Sequence, residues 1–319
     1  MGPAPARPRG AREWWRCLET IHAVTYFAPE SREQFRAAGL RGFWTGYFAA
    51  RAAPLGVVGP SVVTALFFNF HPAMVERSIP EAWERTDPAR ALSARRAGAA
   101  VALRRVEPAA DPSAGQLADL LARVVDRADG SGRALFSANR ALGRSDDPVE
   151  DLWQACTSLR EHRGDGHVAA LTVAGLDGCE ALVLFAISEG LSSDLFTANR
   201  GWSVDEWESA RRRLEARGLV AGSAISPTGR EARRAIEERT DALAAPPFDA
   251  LDDAGAAVLF DGLRSLATTV ADAGIVPFPN PMGLPAPGRP EPGVPVTVAE
   301  ARRGGMWHRG PWGRAAGDR

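Results

Sequence analysis

One stretch of the chain, residues 203–243, limits the fold more than any other. Ser203 is a favourable N-cap residue, and Glu206 three positions later completes a capping box, which predicts a helix. Gly218 ends that helix. Two short β-compatible pieces follow, separated by Gly222, and a second, strongly charged helix completes the stretch. The order helix, short strand pair, helix predicts a helical unit that carries one small β-hairpin.

The remainder of the chain also has the periodicity of helices. Apolar residues recur at helical spacing over residues 12–23 and again over 117–126. The ends differ, because residues 1–11 and 277–319 are rich in Pro, Gly and Arg, and we expect both to be disordered. The sequence therefore predicts a mainly α fold with short strands.

The ordered part of the chain contains two similar halves. Residues 38–43 (AGLRGF) and 174–179 (AGLDGC) each lead into a run of aliphatic and aromatic side chains. This similarity predicts an internal duplication, with halves at 12–147 and 148–276, and chance composition is the alternative. Two such halves would be related by a pseudo-two-fold axis, so their equivalent segments could face one shared cleft.

Residues 160–167 (REHRGDGH) concentrate polar chemistry in eight positions. His162 and His167 are two of the five histidines in the chain. Asp165 lies between two glycines, which permit positive φ and a close approach, and it could orient either histidine or act as a base. The two arginines of the run suit a carboxylate, sulfate or phosphate. The alternative is an internal ion-pair network that includes Glu161.

The N-terminal half offers residues that could line the other side of the cleft. His22 and Tyr26 share one face of a predicted helix, and Tyr26 is one of two tyrosines in the chain. Glu30, Arg51 and His71 follow in the same half. An ordinary core would also contain such a face, so a structural role is the alternative for these side chains.

The predicted site combines both halves. The predicted catalytic residues are His22, Tyr26, His162, Asp165 and His167. The predicted ligand-binding residues are Glu30, Arg51, His71, Arg160, Glu161 and Arg163. No metal or cofactor is expected, because the HExxH, CxxC, GxGxxG and P-loop patterns are all missing and the chain has no lysine. The alternative is a three-ligand metal site formed by His162 and His167 with His22 or Glu30.

Several motifs together resemble a known family. They are residues 21–30 (IHAVTYFAPE), 51–56 (RAAPLG), 69–72 (NFHP) and 160–171 (REHRGDGHVAAL). They resemble an actinobacterial family of SalR-like helix-turn-helix proteins over about residues 12–285. Residues 203–243 are similar to the winged helix of MarR-type regulators. The resemblance implies two degenerate winged-helix-like halves with short β-wing strands.

The resemblance also implies that residues 204–217 would enter the major groove of DNA. The start of this helix is acidic, and its arginines come only a turn later, at Arg211, Arg212 and Arg213. The preceding residues, 192–201, look too broken to form the partner helix of a helix-turn-helix. The net charge of −1 also provides no general attraction for nucleic acid. DNA is therefore the weaker expectation as a partner.

We expect a metal-free acid/base enzyme that acts on a small anionic molecule in the cleft. Proteins of this resemblance sometimes accompany natural-product pathways, which suits elimination or intramolecular displacement. The alternative is a MarR-like, ligand-responsive transcriptional regulator that binds DNA through its C-terminal winged helix. A homo-oligomer or a partner protein is left open. The apolar runs are too short to cross a membrane and no apolar signal region begins the chain, so a cytoplasmic protein is expected.

Overall fold

The computed structural model describes residues 10–108, 110–278 and 280–285, and the side chains of 110–112 are not among those described. Ten helices form the part that precedes the central helix: α1 (Ala11–His22), α2 (Val24–Phe27), α3 (Pro29–Ala37), α4 (Phe43–Ala52), α5 (Pro60–Leu66), α6 (Pro72–Glu76), α7 (Ile79–Arg85), α8 (Pro88–Val106), α9 (Ala110–Arg127) and α10 (Ala134–Arg140), as found in the described residues.

The second part begins with the longest helix and contains the sheet. Its elements are α11 (Pro148–Val173), α12 (Gly178–Glu189), α13 (Ser193–Arg200), α14 (Val204–Ala216), β1 (Val220–Ala221), β2 (Ala224–Ile225), α15 (Pro227–Ala244) and α16 (Asp253–Asp272). The two strands pair antiparallel, with Val220 opposite Ile225. The prediction of a mainly α fold with short strands is confirmed.

Helix α11 is the central element of the fold. Asp147 caps its start by accepting hydrogen bonds from the backbone N–H groups of Val149 and Glu150, at 2.9 and 3.0 Å. The helix runs for 26 residues and packs against α1, α8, α9, α10 and α15. Buried side chains occur on several of its sides, and Trp153 is fully buried. Elements on both sides of the molecule are therefore positioned by one helix.

The polar run at residues 160–167 lies within α11, in continuous helix. The expected use of its glycines for positive φ is wrong, because neither Gly164 nor Gly166 has a positive φ. Gly166 instead leaves room for another side chain, since a Cβ there would lie 2.7 Å from the Arg133 guanidinium. Successive residues of the run therefore point to different sides of the helix.

The apolar core has separate parts. The largest contains residues of α1, α8, α9, α11 and α16, and Leu284 packs into it as well. A second cluster joins the end of α11 to α12, α13, α14 and α15. Smaller clusters lie around α4, α7 and α8. The C-terminal unit from α12 to α15 thus has its own core.

The two segments that suggested a duplication form the same local turn. Gly39 and Gly175 both have positive φ, at 92° and 66°. The next residue bonds back to the preceding helix in each case: Leu40 N–H to the Phe35 carbonyl at 2.9 Å, and Leu176 N–H to the Leu171 carbonyl at 3.2 Å. Among the described residues, however, the only strand pair lies in the C-terminal half. Duplication of whole halves stays a prediction.

The predicted disorder at the ends falls mainly on residues 1–9 and 286–319, which lie outside the described residues. The proposed C-terminal boundary is nevertheless too early, because residues 280–285 are packed. Asn280 is 1% exposed, and its Oδ1 accepts the N–H groups of Met282 and Leu284, both at 3.1 Å. This side chain satisfies a compact turn that the proline-rich composition does not reveal.

Candidate nucleic-acid interface and cavity

Helices α13 and α14 form a helix-turn-helix. Ser192 caps α13 by accepting the Asp194 N–H at 3.2 Å, so the expectation that residues 192–201 are too broken for a helix is wrong. A three-residue turn follows, and Gly201 takes φ 82° there. Ser203 then starts α14 with the predicted capping box. The local caps of both helices fix the length of the turn between them.

One face of α14 is buried and the other is open. Trp207, Ala210 and Leu214 are buried in the core of the C-terminal unit. On the open face, Val204 is 70% exposed and Arg212 is also exposed. This distribution is that of a helix held by its unit along one stripe and available to a partner along the other.

The charges of α14 are mostly paired within the chain. Arg211 bonds Glu208 at 2.8 Å and Glu215 at 3.2 Å. Arg213 pairs with two acidic residues at the start of α12 and is part of the unit's own structure. Arg212 makes no ion pair with any described residue. The three consecutive arginines Arg211, Arg212 and Arg213, which were grouped together in the sequence analysis, therefore have three different environments.

The segment that carries His71 braces the turn of the helix-turn-helix. The His71 N–H donates to the Arg200 carbonyl at 2.8 Å, and Trp202 Nε1 donates to the Asn69 carbonyl at 2.9 Å. His71 Nδ1 accepts the Ala73 N–H, so Nε2 carries the proton that reaches Glu206 at 3.0 Å. Glu206, expected to face DNA, is thus turned toward its own cap and His71. His71 therefore has a structural role at the turn before α14.

A cavity of about 270 Å³ lies between α1, α11, α12, α13, α15 and residues 281–285. Its charged lining is dominated by arginines: Arg12, Arg16, Arg51, Arg160, Arg163, Arg200 and Arg233. Its apolar lining is largely aromatic: Trp15, Tyr47, Phe67, Phe68, Phe70, Phe185 and Phe196. Such a concave site with an apolar wall and a few convergent charges is typical of small-molecule binding.

A buried ion-pair network forms one wall of the cavity. Arg51 donates to both carboxylate oxygens of Glu161, at 2.9 and 3.0 Å. Arg160 bonds both oxygens of Glu19, at 3.1 and 3.0 Å, and Glu161 at 2.9 Å. Burial raises the pKa of Glu161, but Arg160 and Arg51 outweigh it and hold that pKa below its usual range. Two arginines therefore neutralise two carboxylates.

Arg163 and His167 lie on the side of α11 that faces α15, and both line the cavity. Arg163 pairs with Glu237 at 3.3 Å and Asp241 at 3.0 Å. Thr240 donates its hydroxyl proton to a backbone carbonyl, so it accepts from His167 Nδ1 at 3.0 Å. Burial lowers the pKa of His167 to about 4. His167 is therefore neutral at neutral pH.

His22 and Tyr26 pair in the core. His22 Nδ1 donates to Thr157 Oγ1 and its Nε2 accepts from the Tyr26 hydroxyl, both at 2.9 Å. His22 also stacks on Trp153 with 6.0 Å between ring centroids. Burial lowers the pKa of His22, followed by the effect of the Arg160 charge. This pair joins α1 to α11 and does not line the large cavity.

His162 and Asp165 contact α10. Asp165 Oδ2 accepts the Phe136 N–H at 3.0 Å and so caps the start of α10. Burial raises the pKa of Asp165 to about 6. His162 packs edge-to-face on Phe136, and burial lowers its pKa to about 4. Glu30 lies apart from all of these and pairs with Arg105.

The structure thus divides the predicted site. Arg51, Arg160, Arg163 and His167 line the large cavity, and Glu161 supports two of them. The histidines expected to converge have different hydrogen-bond partners. Sequence reasoning missed Arg12, Arg200 and Arg233, which lie on other elements, and nothing in their local sequence relates them to the run in α11.

Sequence reasoning also missed a short repeat. Residues 135–140 read Leu-Phe-Ser-Ala-Asn-Arg and residues 195–200 read Leu-Phe-Thr-Ala-Asn-Arg. The first copy lies in α10 before α11, and the second lies in α13 before α14. The asparagines make the same bond, from Asn139 Nδ2 to the Leu135 carbonyl at 2.8 Å and from Asn199 Nδ2 to the Leu195 carbonyl at 2.7 Å. This repeat could have identified α13 as the partner helix of α14 in the helix-turn-helix.

Residues 11–277 match the model of a helix-turn-helix family. The chain belongs to this helix-turn-helix family. No curated protein and no solved structure is significantly similar to it. The family favours a DNA-binding regulator, so the expected metal-free acid/base enzyme of a biosynthetic pathway is wrong. The geometry gives a physical reason, because the proposed acid/base groups are committed to a core pair, a helix cap and a bond to Thr240.

Within the part of the chain that the structure describes, no group of three or more His, Cys, Asp or Glu side chains could hold a metal ion. Cys17, Cys156 and Cys179 are all free and buried. No single helix among the described residues is both long and apolar enough to cross a membrane, and two helix pairs meet that test only together, each sharply bent.

Proposed function

We propose that the chain is a ligand-responsive transcriptional regulator that binds DNA through the α13–α14 helix-turn-helix. The observation that carries the proposal is an exposed face of α14 in a helix-turn-helix of the right order, in a chain whose family model spans residues 11–277. In such motifs the second helix enters the major groove with its N-terminal part toward the bases. The strand pair and α15 complete a unit similar to the MarR-type winged helix.

The charge pattern of α14 is compatible with this role. Glu206 is withdrawn from the open face by its bonds to Ser203 and His71. Arg211 and Arg212 lie farther along the helix, where phosphates flank the groove, and the ion pairs of Arg211 are at least partly exposed and readily exchanged. Phosphate contacts of this kind supply affinity that falls with salt concentration.

The arginine-lined cavity is the proposed effector site. It touches α13 through Phe196 and Arg200, so a bound molecule would contact the helix that precedes α14. Arg51, Arg160, Arg163 and His167 are the residues of the sequence prediction that we retain for ligand binding. We place this activity in the cytoplasm. A dimer would present two recognition helices to half-sites about 34 Å apart.

The test is binding to DNA from the region upstream of the gene that encodes this chain, measured by fluorescence anisotropy. We expect binding that weakens steeply with salt and is stronger than binding to unrelated DNA of equal length. The double change Arg211→Ala and Arg212→Ala should reduce affinity at least about tenfold and lower the salt slope by about 2.

Arg264→Ala is the matched control, because Arg264 is an exposed, ion-paired arginine on α16. It should bind DNA like the unchanged protein. Equal affinity for all fragments, or a double variant that binds as tightly as the control, would contradict the proposal.

A further inference from the structure

Arg200 differs from the arginines that surround it in the cavity. It is 8% exposed, and its Nη1 and Nη2 donate to the carbonyls of Asn199 and Pro281 at 2.9 and 2.5 Å. No carboxylate among the described residues pairs with it. Burial lowers the pKa of Arg200 to about 10, and the charges of Arg51 and Arg160 act in the same direction. This buried guanidinium with five N–H donors therefore has carbonyl partners but no anionic partner in the part of the chain that the structure describes.

Most of the neighbouring arginines are already paired with carboxylates. Arg51 and Arg160 face Glu161 and Glu19 in the network described above. On the opposite side, Arg12 and Arg163 both pair with Glu237 and Asp241. Arg233 lies 3.8 Å from Glu189. Arg16 also lines the cavity and has an interaction of its own. Arg200 is the deeply buried arginine of this lining that has no carboxylate partner among the described residues, and one such guanidinium matches a ligand with a single negative charge.

The surroundings of Arg200 also define the uncharged part of a ligand. Its guanidinium lies over the ring of Phe70, 4.6 Å from the centroid. Phe185 and Phe196 lie edge-to-face in the same lining, with centroids 6.0 Å apart. Leu182 and Met282 extend this wall. An apolar body would lie against these side chains while its charged group meets Arg200.

We propose that the cavity binds an organic monoanion, a carboxylate on an apolar body, with Arg200 as the residue that holds the carboxylate. A planar guanidinium matches a carboxylate by paired hydrogen bonds. This inference rests on the proposed function, since it names the chemical class of the effector. Arg200 ends α13, and its carbonyl accepts the His71 N–H that braces the turn before α14. The ligand therefore contacts the residue where cavity and helix-turn-helix meet.

The test is isothermal titration calorimetry on the full chain without DNA, with three probes of similar shape: 4-phenylbutyrate, its neutral amide and the dianion 3-phenylpropyl phosphate. We expect 4-phenylbutyrate to bind once per chain and the other two at least about tenfold more weakly. Arg200→Gln should weaken 4-phenylbutyrate at least about tenfold and leave the amide unchanged. Arg264→Gln, on the exposed face of α16, should change neither.

Val168→Phe provides a second variant if Arg200→Gln does not fold. Val168 lines the cavity from α11, so a larger side chain there should exclude 4-phenylbutyrate while Arg200 stays in place. The proposal is overturned by an amide that binds as tightly as the carboxylate, by a tighter phosphate, by binding that survives both variants, or by no 4-phenylbutyrate binding at about 10 mM. DNA is absent, so failure here is separate from failure of the DNA-binding test.

Discussion

Helices α10 and α13 share nearly the same sequence but are followed by helices in opposite environments. Asp147 caps α11 and Ser203 caps α14, and each helix then places a tryptophan, Trp153 or Trp207, in the core. Counting from these tryptophans, α14 has Arg211, Arg212 and Arg213 where α11 has Thr157, Ser158 and Leu159. Those three residues of α11 are buried, with exposures of 1%, 2% and 4%.

The difference arises from what surrounds each unit. Helices α1, α8 and α9 pack around α11, whereas α14 packs mainly on elements of the C-terminal unit and also bonds His71 through Glu206. A similar helix pair thus contributes the centre of the fold in one place and a helix with an exposed face in the other. The residues at these three positions decide whether the helix can be buried, because three arginines could not replace the buried Thr-Ser-Leu run of α11.

Exchanging residues between the two helices should give the largest effect. Ser158→Arg places an unpaired charge at a 2%-exposed position close to Gln154, so the free energy of unfolding should fall by at least about 3 kcal/mol. The reciprocal change, Arg212→Ser, should alter it by less than about 0.5 kcal/mol. Urea unfolding followed by circular dichroism measures both. Similar losses for the two variants would remove the distinction between a buried and an exposed helix.

The matched asparagines should differ by a smaller amount. Asn139 Oδ1 accepts from Arg95 at 2.8 Å and from Gln154 at 3.3 Å, and Arg95 is itself buried. Asn199 Oδ1 is buried with no hydrogen-bond partner among the described residues. Asn139→Ala should therefore cost about 2–3 kcal/mol and Asn199→Ala about 1 kcal/mol. Chemical denaturation of both variants provides the measurement. A larger loss of unfolding free energy for Asn199→Ala than for Asn139→Ala would mean that the Arg95 network stabilises the fold little.

Acidification should change the free energy of unfolding through two buried residues of α11, His162 and Asp165, and their contributions should have opposite signs. His162 has a folded pKa of about 4, against about 6.5 when unfolded, so the unfolded chain binds more protons between these values and acidification destabilises. Asp165 has a folded pKa of about 6, against about 3.9 unfolded, so acidification from pH 6 to 4 favours the fold through this residue.

The two contributions can be separated by substitution. His162→Gln should reduce the stability lost between pH 6.5 and 4 by on the order of 1–2 kcal/mol, whereas Asp165→Asn should increase that loss by a similar amount. Melting temperatures across this pH range test both. Parallel pH profiles for the two variants and the unchanged chain would show that neither residue titrates as its burial indicates.

The sequence alone determined the local structure well. Ser203, Glu206 and Gly218 specify the bounds and cap of α14 within about one residue, because capping depends on neighbours in the chain. Helical periodicity likewise predicted the mainly α fold. Residue type also predicted that Arg51, Arg160 and Arg163 bind an anionic ligand, and all three line the cavity. These properties belong to residue type and short-range spacing.

Only the tertiary structure decided how these parts combine. The run at 160–167 looked like one site, but a helix with 3.6 residues per turn distributes it over several faces, so Arg160 and Arg163 reach the cavity while Asp165 caps α10. Arg200 joins the cavity from a helix distant in sequence. Similar sequences precede α11 and α14, but α1, α8 and α9 pack around α11 alone. Which distant helices cover α11 depends on packing between segments far apart in the chain, and the similar helices α10 and α13 do not specify it.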